Sequence, residues 1–124
     1  MKIGFNIPAS KASLTAALEG LTAVNYLILR NGKVPPLYRS GVRYKREQPG
    51  KEQWQTATEV YRARFGDCED LAAWRAAELR LAGEAARAVV IRTGRRQFHA
   101  IVKRANGTYE DPSRKLGMGK NKKT

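Results

Sequence analysis

The sequence predicts an α+β fold, with helices first and a small antiparallel sheet after them. Two observations carry this. Apolar residues recur at helical spacing up to about residue 82, and β-branched runs separated by turn signals take over from Ala88. A third bounds the architecture: 124 residues with 42% hydrophobic content suit one compact domain. That domain is expected over 1–113, with a basic, flexible tail over 114–124.

The first helix is expected over 11–30. Leu14, Leu18, Leu21 and Ile28 make one apolar stripe, Ser10 or Ser13 can cap its start, and Asn31-Gly32 supplies the stop. Val34-Pro35-Pro36 prevents its resumption. Residues 37–50 are basic, aromatic and rich in turn formers, so they read as a loop with an extended piece at Val42-Arg43-Tyr44. A second helix is expected over 52–64, with Trp54, Ala57 and Tyr61 on one face. The third starts at Asp67, an N-cap residue that Asp70 can complete as a capping box, and Gly83 ends it.

Ala88-Val89-Val90-Ile91 then reads as a buried strand and Thr93-Gly94-Arg95-Arg96 as a turn. Gln97 to Arg104 is a second strand, and Thr108 to Asp111 a third beyond the Asn106-Gly107 hairpin signal. Pro112 ends the third strand.

The charge is lopsided: 24 Lys plus Arg against 11 Asp plus Glu give +13. Such a field attracts phosphate, anionic lipid headgroups or an acidic protein surface, and it also serves simply as a solvated, solubilising face. Arg92, Arg95, Arg96 and the lysine tail make nucleic acid one candidate partner, though no helix-turn-helix, zinc-finger or aromatic RNA-binding signature occurs. One cysteine excludes an intramolecular disulfide and fits a reducing compartment. The N-terminus lacks a secretory signal's apolar centre, and no apolar run is expected to span a bilayer. The expectation is a cytoplasmic chain with no membrane partner.

The chemistry-bearing residues are Cys68, His99 and Asp111. Cys68 falls at the first position of the third helix, where N–H groups without intrahelical partners favour a thiolate and later an oxyanion. Asp67, Glu69 and Asp70 oppose this, since nearby carboxylates raise a thiol pKa; they must point away or serve the cap. His99 is the only histidine and lies in a strand. A two-residue loop at 106–107 would turn Asp111 away from it. A three-residue loop over 105–107, with Gly107 left-handed, pairs Arg104 with Thr108 and puts Asp111 on the face of His99, about 7–8 Å away between backbones. A catalytic triad therefore requires the longer, bulged turn. In it His99 takes the thiol proton, Asp111 orients the imidazole, and Cys68 attacks an amide carbonyl to form a thioester. Each residue also has a plainer use: a small buried hydrophobe, a structural histidine, a turn aspartate.

The run Gly66-Asp67-Cys68-Glu69-Asp70-Leu71-Ala72 resembles the nucleophile motif of the transglutaminase-like superfamily. Ala86-Arg87-Ala88-Val89, His99-Ala100 and Asp111-Pro112-Ser113 resemble its strand, histidine and aspartate motifs, in the same order. Ile101 and Glu84-Ala85 depart from the pattern. The resemblance covers roughly 42–113 and implies a papain-like core, with the nucleophile helix packed on the sheet that carries His and Asp. It implies a cysteine peptidase or amidase that needs no metal or cofactor and acts on a protein or peptide. It further implies that Tyr44 donates to the oxyanion beside the Cys68 N–H. Together with Leu37-Tyr38-Arg39-Ser40-Gly41, the chain resembles small transglutaminase-like proteins encoded among tailed-phage structural genes. That implies phage structural partners and a place in the bacterial host cytoplasm or the virion. A non-catalytic virion or assembly component of the same fold, and a basic nucleic-acid-binding module, are the competing readings.

Overall fold

The computed structural model describes residues 2–4, 10–47, 53–94 and 97–119. Helix α1 spans Lys11–Arg30, capped by Ser10, whose hydroxyl accepts from the Ser13 N–H while the Ser13 side chain accepts from the Ser10 N–H. By length and composition α1 could cross a bilayer, which corrects the expectation that no run could. In this fold it packs on α3 (Cys68–Leu81) and β5 (Arg87–Gly94). Its buried residues include Thr22 and Asn25, and Asn25 Oδ1 accepts from the Ala57 N–H at 2.8 Å.

The expected helix over 52–64 is shorter. Gln53–Gln55 is a strand, β3, paired antiparallel with β1 (Lys2–Gly4), and Trp54 is buried within it. Helix α2 covers only Ala57–Ala63. The reason is local. Thr56 caps α2 through a capping box with Glu59, and a cap residue takes extended backbone, so the helix cannot run back through it. The Gln55 N–H is meanwhile held by Asp70 Oδ1 at 2.7 Å.

A 3₁₀ turn at Leu37–Arg39 leads to β2 (Arg43–Tyr44), which pairs in parallel with β4 (Phe65–Gly66). This ribbon brings Tyr44 opposite Gly66, two residues before Cys68. The last sheet has the order β5-β6-β7, with β6 at Gln97–Lys103 and β7 at Tyr109–Glu110, an antiparallel meander. Mixed helix with small sheets agrees with the α+β expectation.

One core lies between α1, α3 and the β5–β6 face, built on Leu18, Leu21, Ala76, Val90, Ala100 and Val102. The alanines of α3 let the sheet approach closely. A second core gathers Leu29, Leu37, Val60, Leu71, Trp74 and Leu116. Leu116 follows α4 (Pro112–Lys115), and its carbonyl accepts from the Tyr44 N–H at 2.9 Å. The expected tail boundary at Arg114 therefore falls inside an ordered element, because an apolar residue beyond it is buried. Arg95, Arg96 and residues 120–124 lie outside the described residues.

Candidate active site

Three elements converge on Cys68. It opens α3, next to its cap Asp67. Strand β6 carries His99, and the β7 end carries Asp111. The hairpin between them is the three-residue bulged form. Gly107 sits at φ +88, its N–H donates to the Arg104 carbonyl, and the Arg104 N–H donates to the Thr108 carbonyl. Val102 pairs with Glu110, so Asp111 falls beside Ile101 and on the face of His99. The side chains meet: His99 Nε2 lies 2.8 Å from Asp111 Oδ2. A proton on Nε2 satisfies the carboxylate and leaves Nδ1 as an acceptor.

Glu110, one residue earlier, faces the other way and anchors the strand. It accepts from Arg75 Nε of α3 at 2.7 Å, from Arg104 Nη1 at 2.8 Å and from the Tyr38 hydroxyl. Arg104 is also gripped by Glu84 through two hydrogen bonds of 2.6 and 2.8 Å. This network fixes the position from which Asp111 reaches His99. Sequence reading missed Glu110, although the register argument that placed Asp111 on one face places Glu110 on the other.

The sulfur is in a different state. The thiol donates to Glu69 Oε2 at 3.2 Å, and the Ala100 N–H, next to His99, also points at it. No hydrogen bond joins Cys68 to His99 among the described residues. Burial pushes the Cys68 thiol far up, Glu69 and Asp67 push it further, and only the Ala100 N–H opposes them. Glu69 itself is driven up to about 8, first by burial and then by the charge of Asp67. Burial, then the Glu69 charge, also push Asp70 up. Of these two acids Glu69 is the better proton holder, because Asp70 accepts the Gln55 and Asp67 N–H groups, at 2.7 and 3.2 Å.

Two of the three acids beside the thiol therefore serve the cap. Asp70 completes the capping box, and Asp67 accepts from Glu47 N at 2.9 Å and from Cys68 N at 2.7 Å. The third, Glu69, points at the sulfur, which sequence reading did not assign to it. The Cys68 N–H, expected as an oxyanion donor, is occupied by Asp67 Oδ1. Asp67, Cys68 and Glu69 hold potential ligand atoms within 4.8 Å of one another. Those atoms already satisfy each other and the cap, so the set fits a thiol lock better than a metal cage.

Tyr44 is half-buried, and its phenol is pushed up to about 12 by burial and then by the charges of Asp67 and Cys68. It stays protonated and able to donate at neutral pH, on the side of Cys68. Two surface concavities lie away from these residues. One, about 710 Å³, runs between α1 and β5 beside Lys11, Glu19 and Arg87; the other, about 370 Å³, lies between α1 and α2 beside Ile28 and Tyr61. The chain matches no family model, no curated protein and no solved structure.

Proposed function

We propose that the chain is a cysteine-dependent amide or peptide-bond hydrolase of transglutaminase-like type. The observation that carries the reading is the His99–Asp111 hydrogen bond, with Nδ1 of the imidazole left free and the Cys68 sulfur held at the adjacent Ala100 N–H. In the working cycle the Cys68 proton passes to His99 Nδ1, and the thiolate attacks the amide carbon. Tyr44 donates to the developing oxyanion. His99 then returns its proton to the leaving amine as the C–N bond breaks. Water, deprotonated by His99, resolves the thioester to a carboxylic acid and regenerates the thiol. Asp111 holds the tautomer and supports the imidazolium. The substrate is a protein or peptide. Location in a bacterial host's cytoplasm, and phage structural proteins as partners, follow only from the motif-level resemblance.

Hydroxylamine trapping tests this. A thioester formed on a peptide pool is released by hydroxylamine as a peptide hydroxamate, which mass spectrometry detects. Wild type is expected to give hydroxamates. Cys68→Ala and His99→Ala are expected to lower the yield by at least about a thousandfold, and Asp111→Asn by about a hundredfold or more. No wild-type product, or product that survives Cys68→Ala, would sink the reading.

One observation favours a second reading, a non-catalytic virion or assembly component of the same fold. Both atoms that Cys68 would use in catalysis, its sulfur and its N–H, are already engaged by carboxylates. An absence of hydroxamate together with a thiol insensitive to His99→Ala would favour it.

A further inference from the structure

The segment Leu37-Tyr38-Arg39-Ser40-Gly41 is a motif that the triad does not use, and the structure ties it down at two points. One is α3, where the Leu37 N–H at the start of the 3₁₀ turn donates to Glu78 Oε2 at 2.7 Å. The other is the hairpin, where the Tyr38 hydroxyl donates to Glu110 Oε2. Leu37 is fully buried, and the Ser40 hydroxyl closes the turn by donating to the Leu37 carbonyl at 2.6 Å. The Tyr38 ring is held as well: the cationic heads of Arg75 and Lys115 lie over it, 4.8 and 5.3 Å from its centroid.

These ties converge on Glu110. Its Oε2 accepts from Tyr38 and from Arg75 Nε at 2.7 Å, and its Oε1 accepts from Arg104 Nη1 at 2.8 Å. Three donors thus reach one carboxylate from the 3₁₀ turn, from α3 and from the residue after β6. Burial alone would raise the Glu110 carboxyl, yet the Arg75 and Tyr38 hydrogen bonds hold it below its ordinary value, so it is ionised and only accepts. Burial, then the bond to Glu110, push the Tyr38 phenol up, so it keeps the proton that it donates. Asp111 is the next residue, points to the other face and meets His99 Nε2 at 2.8 Å. Successive Cα atoms are fixed about 3.8 Å apart, so a clamp on the Glu110 side chain limits where the Asp111 carboxylate can go. Arg75 and Cys68 share α3, so the same clamp sets the hairpin against the helix that carries the sulfur.

We propose that Tyr38 is a positioning residue for the His99–Asp111 pair and acts through Glu110. Two arginines already neutralise Glu110, so the phenol is not needed for charge. What it adds is direction. Its ring has only two side-chain torsions, fewer than arginine has, so it restrains Glu110 more tightly for the one bond that it makes. A proton-transfer pair needs its groups held to within about 0.5 Å, and Asp111 inherits that restraint through the backbone it shares with Glu110. The kinetic part of this inference rests on the hydrolase reading; the effect on the His99–Asp111 contact does not.

Two measurements on the full chain test it. One is the nuclear magnetic resonance signal of the His99 Nε2 proton, read without substrate. The other is the rate of hydroxamate formation against concentration of the peptide pool. Wild type is compared with Tyr38→Phe, which keeps the ring and removes only the hydroxyl, with Glu110→Gln, with the two combined, and with Thr22→Val. Thr22→Val removes a different buried hydroxyl, one that donates to the Leu18 carbonyl at 2.7 Å within α1, and so controls for lost stability alone. Circular dichroism confirms folding, and Tyr38→Phe with its control still decides if Glu110→Gln unfolds. Tyr38→Phe is expected to shift or broaden the His99 signal and to lower the saturating rate about 10-fold, with the half-saturating concentration unchanged. Glu110→Gln is expected to lower the rate about 100-fold, and adding Tyr38→Phe to it to cost no more than about twofold again. Thr22→Val leaves signal and rate as in wild type. The proposal is overturned if Tyr38→Phe leaves the His99 signal unchanged, if the two losses multiply in the double variant, or if Thr22→Val slows the reaction as much as Tyr38→Phe. A wild type that forms no hydroxamate sinks the hydrolase reading, and the His99 signal then decides the positioning role by itself.

Discussion

At Cys68 a thiol and three carboxylates share the first turn of one helix, and the hydrogen bonds decide which of them matters. Asp67 and Asp70 are consumed by backbone donors, which leaves Glu69 as the group in contact with the sulfur. A carboxylate 3.2 Å from a thiol disfavours the thiolate, so Glu69 acts as a brake on ionisation of the Cys68 thiol. Glu69→Gln keeps the size and removes the charge. Its thiol pKa is expected to fall, and iodoacetamide alkylation near pH 8.5 to speed up roughly tenfold. Adding His99→Ala is expected to reverse much of that gain, because the freed sulfur then has no imidazole to turn to. Equal rates in Glu69→Gln and wild type would show that the carboxylate does not govern the sulfur. The sequence placed an acid beside the thiol but could not say where it pointed: that depends on a side-chain rotamer set by burial, which no local pattern encodes.

The elements that were legible are those specified by their own residues. Ser10, Asn31 and the leucine stripe define α1, and Asp67 with Asp70 defines the start of α3. The hairpin follows from Asn106-Gly107 together with the face requirement on Asp111. The elements that were not legible, β1, β3 and β4, are two or three residues long and form by pairing with a distant partner, β1 with β3 and β4 with β2, whose extended piece at Val42-Arg43-Tyr44 the sequence did signal. Trp54 illustrates the difference, since its spacing to Ala57 and Tyr61 suits a helix face, yet the Thr56 cap and the Asp70 bond to Gln55 make it a strand residue. The hairpin can be tested at its own scale. Gly107→Ala at φ +88 is expected to cost about 1–2 kcal/mol in urea denaturation. Deleting Ala105 should shorten the loop and move Asp111 to the opposite face, abolishing its contact with His99. The nuclear magnetic resonance signal of the His99 Nε2 proton, which the Asp111 contact holds, reads the second effect, and an unchanged signal in the deletion variant would contradict it.

Across the whole molecule two sets of carboxylates set opposing pH dependences. Glu19 and Glu110 sit below their ordinary values because arginines bind them, and Glu84 is held at about 2 by Arg104. Their contribution is present above about pH 4.5 and is lost as pH falls below it. Glu69, Asp70 and Glu78 sit above theirs, with burial the leading cause in each. For these the native state holds protons that the unfolded chain has already released, so stability declines as pH rises from about 4.5 toward 8. The two sets place the stability maximum on the acid side of neutral, near pH 5. Urea midpoints are therefore expected to fall between pH 5 and pH 8 in wild type. Glu69→Gln removes a proton-holding group without opening a cavity, so its loss over the same interval should be smaller, by about 1–3 kcal/mol. A wild-type protein more stable at pH 8 than at pH 5 would mean that Glu69 and Asp70 ionise freely in the fold. The brake on Cys68 would then be a fixed negative charge rather than a shared proton, and thiol reactivity and stability would no longer respond to the same ionisation.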